Sequence, residues 1–279
     1  MRRTRFSPSP TGLLHLGHAR AACEAAARAD PGQFLIRIED IDRARCRPDF
    51  EAAIFEDLAW LGLDWQRPVW RQSDRLPAYD AALARLAGMG LTYPCRCSRG
   101  DIRAALSAPQ EGAPVIGPDG VVYPGTCRGR AMAEAGPRDA IRLDMRRAID
   151  RLGSLPAFLE TGPCHPGRHQ LTAEALLSHV GDVVLSRREF GTSYHLAVVV
   201  DDAAQGITEV TRGRDLFEAT QIHVLLQAVL QLPQPSYWHH DLVRDSYGKR
   251  LAKRDDARAI RRYREDGLSP AQVRALAGV

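Results

Sequence analysis

Arg5-Phe6-Ser7-Pro8-Ser9-Pro10-Thr11-Gly12-Leu13-Leu14-His15-Leu16-Gly17-His18 decides the architecture of this chain. Thr4-Arg5-Phe6 reads as a short strand, and the two prolines and glycine after it forbid regular structure. An alanine-rich helix then begins near His15, carries Ala19, Ala22 and Ala26, and stops at Asp30-Pro31-Gly32. Gln33 to Ile38 is β-rich and largely apolar, as in a buried parallel strand, and ends on Glu39-Asp40-Ile41-Asp42. Strand, loop, helix, strand makes a βαβ unit, and the turn after its first strand lies where α/β sheets bind ligands. A helix start offers unpaired N–H groups and partial positive charge, which suits a polyphosphate. His15 and His18 share the first helical turn, and Gly17 leaves room for a flat base against the backbone. Taken alone, the same spacing is better read as an exposed loop with two incidental histidines.

Outward from this unit, helices are expected at Phe50 to Leu61, with apolar residues at 50, 54, 58 and 61, and at Arg75 to Gly90. From Tyr93 to about Gly167 the chain is rich in proline and glycine, holds Cys95, Cys97 and Cys127, and has weak periodicity, as expected of an irregular inserted module. Tyr194 to Val200 reads as a core strand, Gly206 to Thr211 as another, and Leu216 to Leu230 as an amphipathic helix. Tyr237 to Val279 is basic and expected to be helical after Ala257. The expected division is therefore an α/β catalytic domain of parallel-sheet type over residues 1–92 and 191–236, an insert over 93–190, and a C-terminal part over 237–279.

The 279 residues, 44% hydrophobic and 26% charged, lie far from the disordered class. The net charge of +4 permits a nucleic-acid partner without requiring one, but residues 244 to 264 hold nine Lys or Arg and three Asp, a local excess of +6. The N-terminus runs from Met1 to Phe6 into Ser-Pro-Ser-Pro rather than an apolar signal, and Leu196 to Val200 is too short to span a bilayer. A cytoplasmic protein without membrane contact, with its six cysteines as thiols or metal ligands, is expected.

His15-Leu16-Gly17-His18 resembles the HIGH motif of class I aminoacyl-tRNA synthetases, and Arg5 to Gly12 resembles the RFAPSPTG run of their glutamyl branch. The resemblance implies a Rossmann-like (HUP-type) catalytic domain and a second basic loop, KMSKS, near the C-terminus. Gly248-Lys249-Arg250-Leu251-Ala252-Lys253-Arg254 stands in that place, with Arg250 for the first lysine and Ala252 for the serine. Alone, such a run is an ordinary solvated charged face. As the family loop it makes His15, Gly17, His18, Arg250 and Lys253 the ATP site, with His15, His18 and Lys253 catalytic and Mg2+ carried by ATP. The resemblance further assigns glutamate binding to Arg5, Ser7, Ser9, Glu39, Tyr194 and Arg212, with Glu39 on the ammonium and the two arginines favouring an acidic side chain over an amide.

By spacing alone, Cys95-Arg96-Cys97 with Cys127 is more often a set of reduced thiols than a zinc site, and Cys164, His165 and His169 compete as ligands. In the glutamyl-queuosine subfamily the residues corresponding to Cys95, Cys97, Tyr123 and Cys127 form a zinc site, so the resemblance implies one structural Zn2+. The chain ends 25 residues after Arg254, with no anticodon-binding domain expected there. This, with the insert, resembles the same subfamily. It implies a ligase that activates L-glutamate with ATP without tRNA and passes it to queuosine at the wobble position of tRNA(Asp). The expected partner is that anticodon stem-loop, met by the basic strip, and the expected state is monomeric. A shortened glutamyl-tRNA synthetase charging a 3′ end, or a silent zinc- and RNA-binding paralogue, are the alternatives.

Overall fold

The structure is a computed structural model that describes residues 1–107, 115–244 and 258–279. The chain opens with β1 (Thr4–Phe6), α1 (Leu16–Arg28), β2 (Phe34–Ile38), α2 (Pro48–Trp60), β3 (Gln66–Arg71) and α3 (Leu76–Gly88). β1 and β3 flank β2 in a three-stranded parallel sheet, so the βαβ opening is present as expected. α1 buries Leu16, Ala19, Ala22, Cys23 and Ala25, and these small residues let it lie close on the sheet.

β4 (Thr92–Cys95) and α4 (Arg99–Ser107) lead into a hairpin of β5 (Ile116–Gly117) and β6 (Gly120–Val121), then β7 (Ala140–Leu143) and α5 (Met145–Leu152). Next come β8 (Ala157–Glu160), β9 (Gly167–Gln170), the single turn α6 (Ala173–Ala175) and β10 (Val184–Ser186). β4, β7 and β10 form an antiparallel sheet in the order β10-β7-β4. The chain continues with α7 (Tyr194–Ala204), β11 (Glu209–Gly213), α8 (Thr220–Val229), β12 (Ser236–His240), α9 (Ile260–Glu265) and α10 (Pro270–Ala277). β12 pairs in parallel with both β11 and β8, and β8 pairs antiparallel with β9. The β8–β9 hairpin, inside the 93–190 stretch, thus joins the sheet of β11 and β12.

The parallel sheet of β1, β2 and β3 meets the mixed sheet of β11, β12, β8 and β9 where the Arg3 carbonyl accepts the N–H groups of Thr208 and Glu209, at 3.0 and 3.3 Å. β1 and β11 therefore run beside each other, and the carboxyl ends of such neighbouring strands are the place where a doubly wound sheet binds ligand.

Tyr194 to Val200 is helical, which corrects the expectation of a strand. Ser193 caps α7 by accepting the Leu196 N–H, and the helix is buried from His195 through Val199 and again at Asp201 and Asp202. A helix covered nearly all round has no amphipathic period, so its Val-Val-Val run looks like a core strand in sequence. β11 lies three residues later at its start than the expected Gly206, and α8 lies inside the expected Leu216 to Leu230. Among the described residues no helix is long and apolar enough to cross a membrane.

Candidate active site

His15 is the N-cap of α1, with extended backbone angles, and the two histidines cap the helix reciprocally. The Gly17 N–H donates to His15 Nδ1 at 3.1 Å, and the His15 N–H donates to His18 Nδ1 at 3.1 Å. An Nδ1 that accepts leaves the proton of a neutral imidazole on Nε2, so both rings carry an Nε2–H donor. The rings lie 3.8 Å apart, centre to centre. Gly17 has a reason the sequence did not show: a Cβ there would come within 2.9 Å of His15 Cε1 and drive the capping ring away. On the far side, the Ile260 N–H donates to the Leu14 carbonyl at 2.8 Å and Ala259 bridges to His15, so the chain returns from its basic segment onto this motif. Arg250 and Lys253, with most of the basic strip, lie outside the described residues.

Arg5, Arg212 and Glu39 group around Tyr194. Arg5, at the centre of β1, is buried and bidentate on Asp202, with Nε to Oδ1 at 2.9 Å and a terminal nitrogen to Oδ2 at 3.2 Å. Arg212 on β11 is buried and donates to His239 Nε2 at 3.0 Å, to His223 Nδ1 at 3.0 Å and to Thr220 Oγ1 at 2.7 Å. A guanidinium has five N–H donors, so these bonds fix its plane and leave two for a carboxylate. Ser7 Oγ is buried without a hydrogen-bond partner among the described residues. Ser9 follows in the same loop, where its carbonyl accepts the Thr11 N–H at 2.8 Å. Burial pushes the Glu39 carboxyl up to about 7 against the lowering pull of Arg37 and Arg5, with Asp202 and Asp201 adding to the rise. Burial likewise pushes the Tyr194 hydroxyl up, and Arg212, Glu39 and Arg5 all act on it electrostatically, which places these groups around one space.

Arg37, Asp201 and Asp202 support this space, and sequence reasoning passed over them. Arg37 is fully buried in β2 and donates to Asp202 Oδ1 and Gln205 Oε1, both at 2.8 Å. Asp201 accepts from Arg75 at 2.6 Å and from the Tyr79 hydroxyl at 2.7 Å. The available signal was an arginine amid the apolar Phe34-Leu35-Ile36-Arg37-Ile38, because a buried charge requires a buried partner.

In the insert, the Sγ atoms of Cys95, Cys97 and Cys127 lie within 4.8 Å of one another. Tyr123 Oη is 3.4 Å from both Cys95 and Cys97 Sγ, and Cys97 to Cys127 is 3.6 Å. A tetrahedral zinc with ordinary bond lengths has ligand-to-ligand edges of roughly 3.5 to 3.8 Å, so the four donor atoms fit one. Arg142 lies 3.9 Å from the centre of the Tyr123 ring, while burial and hydrogen bonds with Cys95, Cys97 and Cys127 hold the Tyr123 hydroxyl well above its ordinary range, so that only a bound cation would make it a phenolate. Burial raises the Cys97 thiol to about 11; Cys127 is lowered to about 7, because hydrogen bonds from Tyr123 and neighbours outweigh its burial. The competing ligands are elsewhere: Cys164 Sγ is 3.6 Å from Asp241, and His169 Nε2 meets the His165 carbonyl at 2.7 Å.

A parallel sheet whose first strand leads to a His-x-x-His helix cap, with a buried arginine pair, defines the class. The family model for the catalytic domain of class I tRNA synthetases for E and Q matches residues 1–115 and 167–277, and the chain belongs to that family. It is 60% identical to the glutamyl-Q tRNA(Asp) synthetase of Rhodobacter capsulatus, over 99% of each chain. It is 43% identical to the enzyme of the same name from Nocardia farcinica, over 98% of this chain and 82% of that one. Among solved structures, a glutamate tRNA ligase from Elizabethkingia meningosepticum in complex with its amino acid superposes with a TM-score of 0.74 at 25% identity. That match covers 99% of this chain, which spans 60% of the ligase.

Proposed function

We propose that the protein is an adenylate-forming ligase that activates L-glutamate with ATP, without tRNA, and transfers the glutamyl group to the queuosine cyclopentenediol at the wobble position of tRNA(Asp). The observation that carries the activation step is the grouping of Arg5, Arg212 and Glu39 around Tyr194, in a chain whose first strand leads within nine residues to the His15 and His18 helix cap. A net-anionic amino acid with two carboxylates and one ammonium matches two buried arginines and one carboxylate. The names of the relatives from Rhodobacter and Nocardia support the tRNA target.

In this reading Glu39 holds the α-ammonium, while Arg5, Arg212, Ser7 and Ser9 hold the side-chain carboxylate and orient the substrate. The α-carboxylate attacks the α-phosphorus of ATP, the bond to the β-phosphate oxygen breaks, and pyrophosphate leaves. The His15 and His18 Nε2–H groups donate to phosphate oxygens, with Gly17 backing the adenosine. Arg250 and Lys253 supply positive charge toward pyrophosphate, with magnesium entering on ATP. A cyclopentenediol hydroxyl then attacks the activated carbonyl, forming the ester and releasing AMP. Cys95, Cys97, Tyr123 and Cys127 hold one zinc ion that pins the insert and takes no part in these steps.

Glutamate-dependent ATP–pyrophosphate exchange without tRNA tests the first half-reaction, and its absence overturns the proposal. For the second, glutamate label should map by ribonuclease digestion to the anticodon fragment of queuosine-bearing tRNA(Asp). Label at the 3′ end, or exchange that requires tRNA(Glu), would instead identify a charging enzyme.

A further inference from the structure

Arg212 lies in the middle of a hydrogen-bonded chain whose ends are on different parts of the molecule. On one side its Nε donates to His239 Nε2 at 3.0 Å, and His239 Nδ1 meets Glu160 Oε2 on β8. On the other side a terminal nitrogen donates to His223 Nδ1 at 3.0 Å, and His223 Nε2 is 3.1 Å from His195 Nδ1 on α7. His195 Nε2 then lies 3.4 Å from Asp119 Oδ1, in the turn between β5 and β6 of the insert. Arginine can only donate, so each histidine has one allowed proton position. His239 must accept on Nε2 and hold its proton on Nδ1, facing Glu160. His223 must accept on Nδ1 and donate from Nε2 to His195, which must in turn donate from Nε2 to Asp119. Three neutral rings thus run between a cation and two carboxylates without a mismatched donor or acceptor.

The path is out of water from Glu160 to His195, and only its Asp119 end is partly exposed. Glu160 and His239 have fully buried side chains, and His195, His223 and Arg212 are buried. Glu160 also accepts the backbone N–H of His239 at 2.9 Å and of Gly162 at 2.7 Å, so this end is rigid. Burial and the charge of Arg212 keep His223 well below its ordinary range, consistent with a neutral ring. Asp119 also lines a cavity of about 710 Å3 in the insert, with Arg142, Arg187 and Arg188.

We infer that Asp119, acting through His195 and His223, and Glu160, acting through His239, are positioning residues that orient the Arg212 guanidinium, so that the insert helps set the amino-acid pocket of the catalytic domain. The inference rests on the proposed role of Arg212 toward a substrate carboxylate. A buried guanidinium held on both flanks cannot rotate to suit a shorter or neutral side chain, which makes the chain of rings a specificity device.

Two measurements on the full-length, zinc-loaded protein test it. Long-range proton–nitrogen spectra of the histidine side chains should show Nε2–H tautomers for His195 and His223 and an Nδ1–H tautomer for His239. An Nδ1–H tautomer at His223 overturns the inference. In ATP–pyrophosphate exchange, Asp119→Ala should raise the KM for glutamate about two- to thirtyfold while leaving the KM for ATP unchanged. Asp119→Asn, which keeps an acceptor for His195, should restore the parental value. An Asp119→Ala protein with the parental glutamate KM overturns the inference, as does an equal rise in both KM values. A parent protein without exchange overturns the proposed activity instead, and the ring tautomers then decide the chain of hydrogen bonds on their own.

Discussion

Glu39 is the residue at which pH and substrate meet. Its carboxyl is half-buried beside Arg37 and Arg5, and burial raises it from 4.5 to about 7. Between these values the folded protein keeps a proton that the unfolded chain has released, so this group favours folding least above pH 7 and increasingly as pH falls toward 4.5. Binding an ammonium group needs the opposite, ionised form. In the proposed reaction kcat/KM for glutamate therefore rises as pH increases through about 7, and Glu39→Gln raises the glutamate KM and abolishes that limb. A profile from pH 5.5 to 8.5 that is identical for parent and variant would remove Glu39 from ammonium binding. The His-x-x-His motif was legible at the same scale only through its resemblance to a family motif. Residues three apart share one helical turn, but that spacing by itself does not exclude an exposed loop. The ring tautomers were not legible, because they depend on which backbone N–H each Nδ1 accepts.

At the scale of elements, β2 and α7 form a clasp. Arg37 of β2 reaches Asp202 of α7 and Gln205 just past its C-terminal end, and its Nε lies 3.8 Å from Asp201. Arg5 of β1 grips the same Asp202, so one helix braces two parallel strands by charge as well as by apolar contact. Removing one member leaves buried carboxylates without compensation. Arg37→Met should accordingly lower unfolding free energy by about 3 to 5 kcal/mol in urea titrations. A loss below about 1 kcal/mol would show that Arg5 alone satisfies Asp202. α7 is also where sequence reading failed. β-branched residues and the absence of a polar face indicate a strand, but packing on nearly all sides and the Ser193 cap make the segment helical. α1, by contrast, was readable because alanine-rich turns end in Asp30-Pro31-Gly32, which cannot continue a helix.

At the scale of the whole molecule, a parallel and a mixed sheet meet at Arg3, and the insert gathers donor atoms from Cys95, Cys97, Tyr123 and Cys127 at one point. The geometry predicts one zinc ion per chain. Cys127→Ser should lose that zinc and lower the Tm by about 5 °C or more, and chelation should do the same to the parent. Zinc retained at full stoichiometry by Cys127→Ser would place the metal elsewhere. By itself the sequence determined the βαβ opening and the helix that begins on His15, and through its family resemblance it supplied the residues proposed for the amino-acid and metal sites. Each depends on neighbours a few residues apart or on a short motif with a specific chemical purpose. Tertiary structure alone decided that α7 is helical, that Arg37 is clasped by Asp202, and that Arg212 is held between Glu160 and Asp119. These partners are separated by 11 to 165 residues along the chain at individual contacts, and only folding brings them within hydrogen-bond distance and excludes the water that would otherwise satisfy them.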